Sequence, residues 1–163
     1  MTAIAEIPKF SNRWLSILAS GWRAAAIARM SSGGWVTVTS GVDRALSGEG
    51  GQRPNQALPD LYGDKSIRNY LNPAAFALPD LGTNGRIGVA TILGPGSLNF
   101  DAGLSRLFRI RERRKLELRA EGSNILNRVN SGNPQLSLNS FAFGQILNAG
   151  SPRIMQFALK YVF

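Results

Sequence analysis

Arg153 to Phe163 reads RIMQFALKYVF, and the period of this stretch decides the fold. Met155, Phe157, Leu159, Tyr161 and Phe163 occupy alternate positions, with Ile154, Gln156, Ala158, Lys160 and Val162 between them. A strand turns successive side chains to opposite faces. One face is then large and apolar, and the other is small or polar at Gln156, Ala158 and Lys160. A helix would set Lys160 beside Gln156 and Phe157 beside Tyr161, which separates polar from apolar less well. The stretch is expected to be a strand.

The same period recurs upstream. Leu98, Phe100, Ala102, Leu104, Phe108 and Ile110 share a side, with Arg106 the exception among them, and Asn99, Asp101, Gly103 and Ser105 lie between. Leu116, Leu118, Ala120 and Gly122 alternate with Glu117, Arg119, Glu121 and Ser123. Trp22, Ala24, Ala26, Ala28 and Met30 oppose Arg23 and Arg29. WVTVTS, from Trp35, is β-branched and reads as a continuation of that strand or a short separate one; Thr2 to Ile7 reads as another. Strands are expected near residues 1–8, 20–39, 98–110, 116–126 and 153–163.

Residues 41–95 are rich in Gly, Pro, Asn and Asp, and Arg53-Pro54, Asn72-Pro73 and Asn84-Gly85 mark turns there. Residues 127–151 are polar, and both stretches are expected to be long loops. A loop as long as 41–95 counts against a compact soluble domain. Strands of about ten residues, apolar on one face and ionised on the other, are the pattern of a transmembrane β-barrel.

Composition narrows the chemistry. The 163 residues carry 19 Lys plus Arg against 10 Asp plus Glu, a net charge of +9, with no His and no Cys. Disulfides, cysteine nucleophiles, histidine bases and zinc sites of the usual kind are therefore excluded. No GxSxG, SxxK or GxxxxGK motif occurs, so no enzyme, catalytic residue, cofactor or metal is expected. Met1 to Phe10 carries Glu6 and Pro8 and lacks the apolar core of a signal peptide. Trp14 to Met30 is interrupted by Gly21, Arg23 and Arg29 and is no spanning helix.

The positive charge needs an anionic counterpart: nucleic acid, a membrane surface or an acidic ligand. Arg106, Arg109, Arg111, Arg113, Arg114 and Lys115 crowd one stretch, offset there only by Glu112. No aromatic stacking platform or recognition helix accompanies them, so a solvated hairpin turn is expected and a nucleic-acid partner is not. Lipid-facing charge at the bilayer midplane costs about 2–4 kcal/mol, which places this turn outside the hydrocarbon layer. Arg23, Arg29, Asp101, Arg109, Glu117, Arg119 and Glu121 are expected to face the lumen and to pair across strands, at about 0.2–1 kcal/mol a pair.

A final Phe163, Tyr161 two residues before it and alternate apolar residues back to Met155 resemble the terminal signal of bacterial outer-membrane barrels. In those proteins the barrel-assembly machinery recognises the last strand. Further runs narrow the resemblance: YLNPAAFALPDLGTNGR from Tyr70, GPGSLNFDAGLSRLF from Gly94, LELRAEGSNILN from Leu116, FGQI from Phe143 and PRIMQFALKYVF from Pro152. In this order they resemble the C-terminal end of TonB-dependent outer-membrane receptors of the Oar-like, carboxypeptidase-regulatory-domain type. GWRAAAIARMSSGGWVTVTSG is similar to the strand and loop entry that precede them there. The resemblance covers nearly the whole chain. Nothing in it resembles the secretion signal, plug or TonB-contacting segment of such receptors.

The resemblance implies an all-β fold of antiparallel strands, the C-terminal segment of a large transmembrane β-barrel with long extracellular loops. Residues 1–163 would be a partial receptor barrel in the cell outer membrane. Its partners would be outer-membrane lipid, the barrel-assembly machinery and the rest of the receptor, with Met155, Phe157, Leu159, Tyr161 and Phe163 as the assembly signal. The parent receptor would carry out energised uptake of a bulky nutrient, which this stretch could not do alone. The alternatives are a small independent barrel with an adhesive or structural role and a soluble basic nucleic-acid-binding protein. A small barrel needs about eight alternating segments, and about five are found.

A periplasmic Phe163 puts Asn127 to Ser151 and Gly41 to Pro95 outside the cell and the Arg111 to Lys115 turn in the periplasm. Trp22, Phe108, Tyr161 and Phe163 would then gather at one membrane interface. A five-residue turn centred on Arg113 sets Ile110 opposite Leu116, Phe108 opposite Leu118 and Arg109 opposite Glu117.

Overall fold

A computed structural model describes residues 1–6, 20–110 and 114–163. Its strands are β1 (Thr2–Glu6), β2 (Trp22–Ser31), β3 (Trp35–Val36), β4 (Asn55–Gln56), β5 (Phe76–Ala77), β6 (Ile92–Leu93), β7 (Ser97–Arg109), β8 (Lys115–Ser123) and β9 (Ile154–Val162). A single 3-10 turn, Pro73–Ala75, is the only helical element among the described residues. The fold is all-β, as the period-two pattern leads one to expect, and the strand ladders β1–β2, β3–β6, β4–β5, β7–β8 and β8–β9 are antiparallel. The chain divides into two compact units.

The first unit, 1–30, 98–129 and 151–163, is a five-stranded sheet in the order β1-β2-β7-β8-β9. Its registers keep like faces together. Ala3 lies opposite Ala26, Leu104 opposite Ala120, Phe108 opposite Leu116, and Leu116 opposite Tyr161. The β7–β8 hairpin corrects one expectation by two residues: Arg109 faces Lys115, and Leu107 faces Glu117. The ladder continues past Arg109, because the Ile110 N–H donates to the Arg114 carbonyl at 2.9 Å. Residues 111–113 of the expected Arg111 to Lys115 turn fall outside the described residues. Registers displaced by two preserve both faces, and a water-exposed ion pair is too weak to choose between them. Glu117 meets Arg119 at 2.9 Å along its own strand instead and lies opposite Lys160.

Two strand ends also differ from expectation. β2 stops at Ser31, and Trp35–Val36 pairs with Ile92–Leu93 outside the sheet. Gly33 and Gly34 explain the break. The Gly94 N–H donates to the Gly34 carbonyl at 2.9 Å, and a Cβ on Gly33 would overlap the Gly94 carbonyl, so only glycine allows this approach. β8 ends at Ser123 because Asn124 takes a left-handed φ of 47° and is held by polar bonds. Its N–H donates to Asp101 Oδ1 at 2.9 Å, and its side-chain amide donates to the Arg128 and Ser151 carbonyls at 2.9 and 3.2 Å.

The second unit comprises residues 31–97 and 130–150, which take in the expected loop 41–95, most of the expected loop 127–151 and the end of the strand expected over 20–39. They pack around a core of their own, in which Val38, Leu71 and Ile92 are fully buried. Phe76 and Phe143 meet edge to face at 5.2 Å. Gly144 links the two stretches: its carbonyl accepts from the Tyr70 and Leu71 N–H groups at 2.9 and 3.2 Å. The Tyr70 hydroxyl donates to the Leu93 carbonyl at 3.0 Å, while the Leu93 N–H donates to the Tyr62 hydroxyl at 2.8 Å. Asn72 caps the 3-10 turn by accepting from Ala74 N–H at 3.1 Å.

Candidate functional site

Strand parity sorts the sheet into two surfaces. Ala24, Ala26, Phe100, Ala102, Leu104, Phe108, Leu116, Leu118 and Ala120 share one face with Met155, Phe157, Leu159 and Tyr161 of β9. Phe157 is 77% exposed, and Phe163, just past the end of β9, is 90% exposed. In water so broad an apolar surface would be a liability; against lipid it is the stable arrangement. The five residues expected to form the assembly signal thus lie along the edge strand of the sheet, Met155 to Tyr161 on its apolar face.

The opposite face carries the charge, and the seven side chains expected to line the lumen lie on it. Arg23 pairs with Glu6 at 2.7 Å, and Arg29 pairs with Asp101. Arg119 bridges Glu117 and Glu121 of its own strand at 2.9 and 3.4 Å. Arg109 stands opposite Lys115 at the water-exposed end of the hairpin, without an acidic partner among the described residues. These exposed pairs contribute modestly to stability. Their collective effect is an ordered polar surface in which, among the described residues, Arg23, Arg29 and Arg119 each have a carboxylate. The sequence reading missed Glu6; once β1 is paired to β2, parity places it opposite Arg23.

The rings expected to form a girdle lie together. Trp22 begins β2, Phe108 is one residue from the end of β7, and Tyr161 is next to last in β9. Tyr161 and Phe163 stack at 6.1 Å between ring centroids. The Arg106 guanidinium lies 4.4 Å from the Phe108 ring and 5.6 Å from the Trp22 ring. Alternation identified Arg106 only as an exception; its cation–π contacts depend on the fold.

In the second unit, outside the strands of the sheet, Asp43 organises the 43–52 turn. It accepts from the Gly48 and Ser47 N–H groups at 2.7 and 3.2 Å and from the Gln52 amide. These bonds, the Gly48 bond above all, hold its carboxyl below the usual carboxylate range. Burial pushes the Tyr70 phenol up. Among the described residues, no three acidic side chains gather to hold a metal, and no helix is long and apolar enough to cross a membrane.

No curated protein and no solved structure matches the chain. A family model described as "Outer membrane beta barrel domain" matches residues 1–156. A sheet with an apolar face and a charged face is what such a domain presents to lipid and to its interior. The chain belongs to the outer-membrane β-barrel domain family and is a protein of the outer membrane.

Proposed function

We propose that these residues are part of the barrel of a TonB-dependent outer-membrane receptor, which takes up a bulky nutrient at the expense of energy from the inner membrane. The observation that carries this is the open sheet: among the described residues, β1 and β9 each have a neighbour on one side only. In hydrocarbon an unpaired edge leaves N–H and C=O groups without partners, so further strands must close the barrel. The ordered runs from Tyr70, Gly94, Leu116, Phe143 and Pro152 support the receptor class by resemblance.

The apolar face meets outer-membrane lipid, and the charged face lines the lumen against a plug supplied by the rest of the receptor. The β9 stripe is what the barrel-assembly machinery reads. The second unit is extracellular and offers the nutrient a folded entry surface. Neither catalysis nor nucleic-acid binding belongs to this function, and residues 1–163 do not transport alone.

Deleting the gene in its host and following uptake of bulky nutrients, with and without a protonophore, tests the proposal. One protonophore-sensitive uptake should disappear, return with the full gene and fail to return with residues 1–163 alone. Unchanged uptake after deletion, or full rescue by residues 1–163, would contradict it.

A further inference from the structure

The proposed uptake assigns no role to the basic residues at the β7–β8 end of the sheet, and their placement points to one at the membrane. Among the described residues, Arg106 is the only charged side chain on the apolar face within the five strands. It sits three residues from the end of β7, against the Phe108 and Trp22 rings. Arg114 falls on the same side, because the Ile110–Arg114 bond continues the ladder by two residues beyond the Phe108–Leu116 pair. Two guanidiniums therefore flank Phe108 and Leu116 on the lipid-facing side. At the other end of the sheet the strand residues on that side, Met30, Leu98, Phe100 and Met155, are uncharged, and the basic residue there is the single Arg153 just before β9.

A guanidinium on a lipid-facing surface is stable only where it reaches the interface, and the anion waiting there is the lipid phosphate. The planar fork of Arg matches phosphate oxygens bidentately, and ring faces beside a guanidinium orient it. A free anion in water would be met as well by Arg109 and Lys115 on the charged face. The lipid-facing pair is distinguished by the rings beside it.

We infer that Arg106 and Arg114, with the rings of Trp22 and Phe108, form a site for the phosphate of an anionic phospholipid headgroup at the turn end of the sheet. The inference takes the leaflet from the orientation proposed above, in which this end is periplasmic.

The test uses the whole receptor, purified from the outer membrane into nanodiscs of phosphatidylcholine containing phosphatidylglycerol. Lipids retained on the protein are counted by native mass spectrometry. Phosphatidylglycerol should be enriched over its share of the disc. Arg106→Gln and Arg114→Gln should each lower that enrichment about fivefold, the effect expected of one basic residue at an anionic surface. Arg153→Gln, at the opposite end, should not. Arg106→Lys keeps the charge without the fork and should fall between wild type and Arg106→Gln.

Equal retention of the two lipids, or the same enrichment in both Gln variants as in the wild type, overturns the inference. So does displacement of the lipid by millimolar inorganic phosphate, which would make this a site for free anions. Preferential retention of lipopolysaccharide would overturn the leaflet and the inference with it. Energised uptake is assayed separately and does not enter the lipid count, so either proposal can fail while the other stands.

Discussion

The two units of this chain solve the problem of apolar surface in opposite ways. The sheet places its large side chains outward on one face: Phe157 is 77% exposed, whereas Leu71 of the second unit is 0% exposed. In the sheet the solvent for apolar groups is lipid, so no internal core is needed, and backbone pairing with alternation suffices. The second unit gathers Val38, Leu71, Phe76, Ile87, Ile92 and Phe143 into a core of its own, as a soluble domain does. The same substitution chemistry should therefore have different consequences in each.

The largest effect is expected in the second unit. Leu71→Ala removes a fully buried side chain and should cost that unit about 2–5 kcal/mol. Protease added to intact cells should then cut within residues 41–95 far faster, while the barrel remains inserted. Loss of the barrel instead would mean that the sheet depends on that core. Next is the lipid side of the sheet. Phe157→Arg, near the middle of β9, should cost about 2–4 kcal/mol, and Gln156→Arg on the opposite face under about 1. Urea unfolding of the receptor in lipid vesicles measures both, and equal costs would erase the distinction between the faces.

Smaller still is the charged surface. Arg29→Met breaks the pair with Asp101, which is largely solvent-exposed on the Arg side, and should shift stability by about 0.2–1 kcal/mol, less at high salt. The smallest effect is a pH response confined to one turn. Asp43 is lowered from the ordinary 3.8, so its contribution is fully present above that value. It is lost as the pH falls through the lowered value of the folded state. Hydrogen exchange at Ser47 and Gly48 should quicken below pH 3.8, and Asp43→Asn should abolish this dependence.

The same contrast explains what the sequence made legible. Faces follow from parity, a local property, so the strands and the two-sided sheet were readable from stretches such as RIMQFALKYVF. The β7–β8 register was not, because two registers of equal parity bury the same groups and the choice lies in the turn. The core of the second unit was hidden for another reason. Leu71, Ile87 and Ile92 stand singly among turn residues with no period, and they meet only through long-range contacts such as Gly144 with Tyr70 and Leu71. The break at Gly33–Gly34, inside the strand expected over 20–39, was hidden as well, because it is demanded by the close approach of Gly94 from far along the chain.

The central claim, that the apolar face meets lipid and the charged face does not, is best tested on β9. The 163 residues contain no Cys, so each position from Ile154 to Val162 can receive a single Cys and a spin label in the membrane-embedded receptor. Collision with dissolved oxygen, which concentrates in lipid, is compared with collision with a water-soluble nickel chelate. Oxygen should dominate at Met155, Phe157, Leu159 and Tyr161, and the chelate at Gln156, Ala158 and Lys160, with a period of two. A flat profile along the strand, or one of opposite phase, would contradict the account.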